Sequence, residues 1–184
     1  MVNYNGDLVA FEDAKITPNN RALKYGDSVF ETLKLVNGKL IFWEAHYFRL
    51  MASMRMLRMK IPMSFTLEFL ENEILKTAKV TNSNNNLRIR LTITRKDGGF
   101  YLPLTNEVDY LIESQEINFV NKSTYKVDLY KDFYVYSGHL STIKTNNKII
   151  HTIASIYARE NELDNCILLN ERKGVVEATN ASLF

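Results

Sequence analysis

The strongest constraint on the fold comes from residues 87–94, LRIRLTIT, where apolar and polar side chains alternate strictly. Successive side chains of a strand point to opposite faces, so one face of this segment is apolar and the other carries arginines and threonines. The apolar face comprises Leu87, Ile89, Leu91 and Ile93. The pattern predicts a half-buried strand, as found in sheets with one solvated face.

Two turn signals place further strands around it. The Asn-Gly dipeptides at residues 5–6 and 37–38 are typical of two-residue hairpin turns, because both turn positions take a positive φ. They predict one hairpin over residues 4–11 and a second that joins a strand at 28–35 to one at 39–42. The sequence also predicts strands at residues 108–117, 125–136, 166–169 and 175–179.

Between these strands, apolar residues recur every three or four positions, which is the spacing of a helix. Apolar residues recur at helical spacing over residues 44–59, 66–80 and 146–161, and Pro62 is expected to end the first of these helices. The sequence therefore predicts a mixed α/β (α+β) fold. We expect an N-terminal α/β domain over residues 1–115 and a second domain over residues 116–184, connected through the polar stretch at 114–122.

Composition excludes several classes of protein. The 184 residues carry a net charge of only +2, so the basic excess of a nucleic-acid binder is missing. We find no signal-peptide pattern and no apolar run of about 20 residues, so a membrane partner is not expected. Cys166 is the single cysteine, which excludes an internal disulfide and favours the reducing cytoplasm. The three histidines lack metal-ligand spacing, so no metal site is expected and we interpret them as surface or helix-packing residues.

Two ionisable residues suggest chemistry. Lys144 precedes a predicted helix, where the helix dipole and desolvation both disfavour the charged amine. A neutral amine is the nucleophile of Schiff-base chemistry, although a solvated loop lysine would give the same pattern. Glu177 lies in the apolar strand VVEA, where a carboxylate needs a partner. A protonated pyridine nitrogen would serve, and the alternative is a strand-edge glutamate that faces water.

Three arginines are candidate anion ligands. Arg49, in the pattern His-x-x-Arg-Leu, could hold a phosphate with two parallel hydrogen bonds, or could simply belong to the polar face of its helix. Arg88 and Arg90 fall on one strand face, where they could bind a substrate carboxylate or only contact solvent.

Four segments occur in an order that resembles the class IV aminotransferases, the fold-type IV enzymes that use pyridoxal 5'-phosphate. This family includes branched-chain aminotransferase, D-amino-acid aminotransferase and 4-amino-4-deoxychorismate lyase. The segments are residues 21–32 (RALKYGDSVFET), 46–50 (HYFRL), 143–147 (IKTNN) and 176–184 (VEATNASLF). The resemblance implies a small N-terminal α/β domain followed by a barrel-like C-terminal domain that is incomplete here.

The resemblance also implies roles for single residues. Lys144 would form the Schiff base with pyridoxal 5'-phosphate and shuttle the substrate proton. Glu177 would pair with the pyridine nitrogen, Arg49 would contact the phosphate, and Asn147 would be a further cofactor-binding residue. The substrate pocket, which in this family borrows residues across a homodimer interface, would be lined by Tyr25, Phe30 and Arg90.

Two departures from the family pattern accompany these expectations. Residues 181–182 read Ala-Ser where the family has Ser-Asn. Family members also continue into a loop that cups the cofactor phosphate at a helix N-terminus, so we expect a C-terminally truncated chain.

The expected reaction is amino-group transfer between an amino acid and a 2-oxo acid. The first alternative is 4-amino-4-deoxychorismate lyase, which releases pyruvate and forms 4-aminobenzoate, because residues 95–101 (RKDGGFY) resemble a loop of that enzyme. The second alternative is a non-catalytic remnant or binding module.

Overall fold

The computed structural model describes residues 1–14, 16–81, 86–117 and 122–183. Within them the chain forms nine strands and four α-helices. In chain order these are β1 (Val2–Tyr4), β2 (Asp7–Val9), α1 (Arg21–Tyr25), β3 (Ser28–Val36), β4 (Lys39–Leu40), α2 (Trp43–Met56), α3 (Leu67–Val80), β5 (Leu87–Arg95), β6 (Val108–Glu116), β7 (Val127–Tyr130), α4 (Ile149–Glu160), β8 (Asn165–Leu169) and β9 (Val175–Ala178). The predicted mixed α/β fold is confirmed. None of the described helices is both long enough and apolar enough to cross a membrane.

The chain divides into two compact units. The first comprises Met1–Phe119 together with Lys144–Asn146, and the second comprises Val120–Ile143 and Asn147–Phe184. Of the predicted connection at 114–122, residues 114–116 belong to β6, while residues 118–121 lie outside the described residues. The domain boundary after residue 115 stays a prediction.

The first unit is built on a six-stranded antiparallel sheet with the order β2-β1-β6-β5-β3-β4. Both predicted turns are present, and the φ values at residues 5, 6, 37 and 38 are all positive. The apolar residues of β5 are buried, whereas Arg88 is exposed and Arg90 half-buried, which confirms the predicted alternation. Helices α2 and α3 contact the apolar face and bury Leu50, Met54 and Leu70 there.

Helix α2 ends earlier than its apolar pattern predicts. The helix stops at Met56, before Pro62, and Arg58 takes a left-handed φ of 56°. The guanidinium of Arg95 donates to the carbonyl oxygens of Leu57, at 2.7 Å, and of Arg58, at 3.4 Å. A buried arginine from β5 therefore satisfies the carbonyl groups at the helix end, and no proline is needed to stop it.

The second unit contains a three-stranded sheet with the order β7-β8-β9. Strand β8 pairs in parallel with β7 and antiparallel with β9. Helix α4 packs on it through Ala154 and Ala158, which share a core with Tyr130, Cys166 and Leu168. Cys166 is fully buried in this core. Strand β7 is shorter than the predicted strand at 125–136, and α4 begins three residues later than predicted.

Two buried arginines meet one carboxylate where β3 begins. Arg21 Nε and Arg95 Nε donate to the same oxygen of Asp27, at 2.8 Å and 2.9 Å. Arg21 also donates to the carbonyl oxygens of Gly98, at 3.0 Å, and Phe100, at 2.7 Å. Asp27 thus connects the loop after β5 and the end of α2 to the first residue of β3.

We expect Asp27→Asn to lower the free energy of unfolding by about 3–5 kcal/mol, because two buried guanidinium groups would lose their anion. Urea denaturation of both proteins measures the difference. Asp13→Asn, which alters an exposed aspartate, is the control and should change stability by less than about 0.5 kcal/mol. Equal stability of the two variants would contradict the role of Asp27.

Candidate functional site

The backbone of Lys144 is paired with the first residues of β3. The N–H of Phe30 donates to the carbonyl oxygen of Lys144 at 2.9 Å, and the N–H of Asn146 donates to that of Ser28 at 3.2 Å. Thr145 lies between these two bonds as an antiparallel bridge partner of β3. Because both hydrogen bonds are to β3, this strand fixes the position of the lysine backbone.

This environment differs from the one that the sequence predicts for Lys144. The lysine was expected at a helix N-terminus, but α4 begins at Ile149, five residues later. The dipole effect falls off within the first turn of a helix, so it is not the feature that acts on this amine. Instead, backbone pairing with β3 is the local feature that positions Lys144.

Phe30 brings two cationic side chains together. Its ring is buried on the side of β3 that does not face the helices. The Cζ atom of Arg90 lies 3.8 Å from the ring centroid, and Nζ of Lys144 lies 4.8 Å from it. The face of an aromatic ring attracts cations. Three residues that the sequence singles out, Phe30, Arg90 and Lys144, are therefore neighbours.

Arg90 is also held by an amide and faces a carboxylate. Its Nη2 donates to Asn146 Oδ1 at 2.8 Å, and Glu113 lies opposite on β6. Burial lowers the pKa of Arg90 from its usual range, although the charge of Glu113 opposes this. The neighbouring Asn147 is exposed, and its cofactor-binding role stays a prediction.

A cleft of about 220 Å³ opens beside Arg90 in the first unit. Its lining is mixed: a guanidinium, two carboxylates, hydroxyl groups and two amides. The residues that carry these groups are Arg90, Thr92, Thr94, Asp97, Glu113, Asn146, Thr17 and Asn20. Groups of both charges and many hydrogen-bonding atoms suit a small, charged polar molecule.

Arg49 on α2 is bound to a buried carboxylate. Its Nε and Nη2 donate to Glu31 Oε1 and Oε2 at 2.6 Å and 2.5 Å, and His46 Nδ1 lies 2.7 Å from Oε2. The Glu31 side chain is only 1% exposed. Burial alone would raise the pKa of Glu31, but the hydrogen bonds and charges of Arg49 and His46 outweigh it and hold the pKa below its usual range.

Glu31 lies on the face of β3 opposite Phe30, because neighbouring side chains of a strand alternate. Arg49 therefore lies on the helix-covered side of the sheet, where its hydrogen bonds to Glu31 orient its side chain. Its side chain is 48% exposed, and Nη1 makes no hydrogen bond to another described residue. An anion can reach that nitrogen, so the phosphate role of Arg49 stays a prediction.

Tyr25, the predicted substrate residue at the end of α1, has other neighbours. The Cζ atom of Arg21 lies 5.0 Å from its ring centroid, and the ring of Tyr101 lies 5.6 Å away. The ring contacts of Tyr25 thus involve its own helix, α1, and the loop after β5, and not the Phe30 cluster.

Glu177 has a partner that the sequence did not suggest. On β9 in the second unit, its Oε1 lies 2.9 Å from Nε2 of His151 on α4. The side chains of Glu177 and His151 are 39% and 16% exposed. His46 and His151, interpreted from the sequence as surface or packing residues, therefore both contact carboxylates.

The order of these residues is that of a known family. The sequence profile described as "Amino-transferase class IV" matches residues 28–184. The chain belongs to the class IV aminotransferase family. The predicted resemblance is thereby confirmed.

Individual proteins agree with the family match. Over the whole chain the sequence is 28% identical to a protein of Methanocaldococcus jannaschii that carries the name branched-chain-amino-acid aminotransferase, and covers 64% of it. A second relative is the structure of a T.th. branched-chain aminotransferase complexed with N-(5'-phosphopyridoxyl)-L-glutamate. Its sequence is 25% identical and the TM-score is 0.81. The match covers 97% of this chain and 61% of that one. A Legionella pneumophila structure named as a 4-amino-4-deoxychorismate lyase has the same fold, with 18% identity, a TM-score of 0.74 and coverage of 92% and 62%.

The chain therefore spans about three fifths of the length of these relatives. The fold of class IV enzymes is present over the described residues, and the predicted fold class is confirmed.

Sequence reasoning assigned no role to four residues that contact the predicted site residues: Glu31, His46, Asn146 and His151. One signal was available for Glu31, since it shares the face of Val29 and Leu33, where an apolar residue is expected. A carboxylate at such a position requires a charged partner. Asn146 carried no comparable signal, because its contact depends on the pairing of distant segments.

We expect the Glu31 carboxylate to make stability fall at acid pH. Its pKa in the folded protein lies below the usual value of 4.5, so the unfolded chain takes up the proton first as the pH falls through that value. The stabilisation is therefore complete at neutral pH and is lost as the pH falls toward the folded pKa. Glu31→Gln should lower stability at about pH 7 by about 1–3 kcal/mol and flatten this dependence.

Urea denaturation at about pH 7, 5 and 3.5 tests this expectation. Glu12→Gln, which changes an exposed glutamate, is the control and should keep the acid dependence. An unchanged slope in Glu31→Gln would show that other groups cause the acid dependence.

Proposed function

We propose that this protein is a pyridoxal 5'-phosphate-dependent aminotransferase that moves an amino group between an amino acid and a 2-oxo acid, with Lys144 as its catalytic residue. One observation carries the proposal: the Lys144 amine lies over Phe30 beside Arg90, on a segment paired with β3. The family match over residues 28–184 supports it.

The side chains present fit pyridoxal 5'-phosphate by their chemistry. The amine of Lys144 suits its aldehyde, the carboxylate of Glu177 suits a protonated ring nitrogen, and the guanidinium of Arg49 suits its phosphate. When bound, the cofactor supplies an aldehyde that reacts with amines and a ring that withdraws electrons from the substrate. The phosphopyridoxyl ligand of the T.th. aminotransferase structure supports this assignment.

Lys144 Nζ is proposed to remove the proton from the α-carbon of the donor amino acid and, in the second half of the reaction, to deliver a proton to the α-carbon that derives from the 2-oxo acid. A base must be neutral to accept a proton. The Lys144 amine lies 4.8 Å from the centroid of the Phe30 ring, and Arg90 contacts the same ring. Pairing with β3 holds the backbone of Lys144 in one place during both transfers.

Arg90 is proposed to bind a carboxylate of the substrate, with Phe30 and Tyr25 as further substrate residues. Asn146 takes only one guanidinium nitrogen of Arg90, and the cleft beside it has the size and mixed charge that an amino acid needs. The name of the M. jannaschii relative favours branched-chain amino acids. A homodimer in the cytoplasm belongs to the same proposal, supported by the family resemblance and the single cysteine.

The lyase reaction is the second candidate, supported by the L. pneumophila structure and by the sequence of residues 95–101. The two reactions differ in their requirements. The aminotransferase needs a 2-oxo acid to accept the amino group, whereas the lyase releases pyruvate without an acceptor. An assay with leucine and 2-oxoglutarate, and a parallel assay with aminodeoxychorismate, distinguishes them. We expect glutamate to form in the first and no pyruvate in the second.

We expect pyridoxal 5'-phosphate to produce a visible absorbance band with the purified protein, and borohydride to convert it into a stable adduct on Lys144. Lys144→Ala should lose the band and the adduct while staying folded, because a half-buried lysine contributes little packing. Absorbance and peptide mass spectrometry provide the readout. Lys148→Ala, four residues away, is the matched control and should keep both. An adduct distributed over surface lysines would contradict the proposal.

Arg90 offers a separate test of the substrate site. We expect Arg90→Ala to raise the KM for the amino acid about tenfold, which is the loss of one charge-assisted hydrogen bond. Arg88→Ala is the matched control, because Arg88 lies on the same strand face but is exposed. Steady-state kinetics of the two variants should differ. Equal KM values would exclude Arg90 as the carboxylate ligand.

A further inference from the structure

The contact between His151 and Glu177 joins two elements of the second unit. His151 lies three and seven residues before Ala154 and Ala158 on α4, so it shares their helix face. Those alanines are buried in a core with residues of β7 and β8. Strand β9, which carries Glu177, pairs with β8 in the same sheet. The helix face therefore directs the imidazole toward the sheet, where Nε2 reaches Glu177 Oε1 at 2.9 Å.

The direction of this hydrogen bond follows from its chemistry. An ionised carboxylate only accepts hydrogen bonds, so the hydrogen must be on Nε2 of His151. An imidazole that donates in this way holds one oxygen of the carboxylate in place.

A carboxylate whose position is already fixed in the free protein binds a ligand more tightly than a mobile one. Glu177 lies on the edge strand of its sheet, and 39% of its side chain is exposed. Immobilising a glutamate side chain costs conformational entropy. If the His151 hydrogen bond fixes the side chain in the protein alone, a ligand does not have to supply that cost when it binds.

We propose that His151 is a positioning residue, which holds one oxygen of Glu177 so that the carboxylate is set to bind the ring nitrogen of pyridoxal 5'-phosphate. This inference rests on the proposed function. It adds a residue outside the four segments that carry the family resemblance. The competing explanation is an ion pair that only ties α4 to β9.

The first part of the test needs no cofactor. Two-dimensional ¹H–¹⁵N NMR of the histidine rings measures the state of Nε2 in the protein alone. We expect Glu177→Gln to shift the Nε2 signal of His151 and to leave that of His139, an exposed histidine, unchanged. An unchanged His151 signal would overturn the proposal, because the contact on which it depends would be absent in solution.

The second part uses pyridoxal 5'-phosphate labelled with ¹⁵N in its ring. We expect His151→Phe, which removes the donor, to weaken cofactor binding about tenfold and to move the ring-nitrogen signal toward the unprotonated position. His151→Gln keeps an N–H donor and should bind within about threefold of the wild type. His139→Phe should change neither quantity.

A purely structural pair predicts a different pattern. In that case His151→Phe and His151→Gln would alter the unfolding free energy, while the ring-nitrogen signal would stay that of the wild type, and this result would overturn the proposal. It would leave the proposed function intact, since Lys144 would still form the borohydride adduct. Failure of the wild-type protein to form that adduct would overturn both. If His151→Phe does not fold, His151→Gln and Glu177→Gln still decide the question, the first by rescue and the second by the NMR shift.

Discussion

The register of β3 fixes the candidate site, because alternate side chains of this one strand serve opposite faces of the sheet. Phe30 faces the cleft side, where Arg90 and Lys144 lie over its ring. Glu31, the next residue, faces the helices and binds Arg49. A slip of one residue would exchange these faces and place a carboxylate among the cations and an aromatic ring in the core. The register is secured by the pairs that β3 forms with β5 over its length, from Ser28 to Leu35.

Two carboxylates, one half-buried and one buried, tie this strand to the rest of the first unit. Asp27 stands immediately before β3 and binds Arg21 and Arg95, while Glu31 lies within it. Buried ion pairs are weak evidence for net stability, because desolvation offsets much of the attraction. Their effect here is on arrangement: every alternative position of β3 would leave a charged group buried without its partner. The same pairs hold the loop after β5 and the end of α2 in fixed positions.

Local patterns predicted the elements of the fold well. Alternation over 87–94 and the Asn-Gly turns gave a correct half-buried strand and correct hairpins, because both signals depend on neighbouring residues. The resemblance singled out Phe30, Arg90 and Lys144, which the structure brings together. The sequence could not predict how they meet. The bridge between Val29 and Thr145 joins distant segments, and no local period records it.

The two histidine–carboxylate pairs show why residue type alone did not reveal their roles. Glu31 is buried and also bound by a guanidinium, so its charge is neutralised within the protein and its task is to hold α2 on the sheet. Glu177 lies on the edge strand of its sheet, 39% of its side chain is exposed, and its Oε1 lies 2.9 Å from His151 Nε2. Both pairs join a histidine ring nitrogen to a glutamate, but one carboxylate is enclosed by the protein and the other reaches solvent. Burial therefore distinguishes the two glutamates, because a ligand can approach only the carboxylate that reaches solvent.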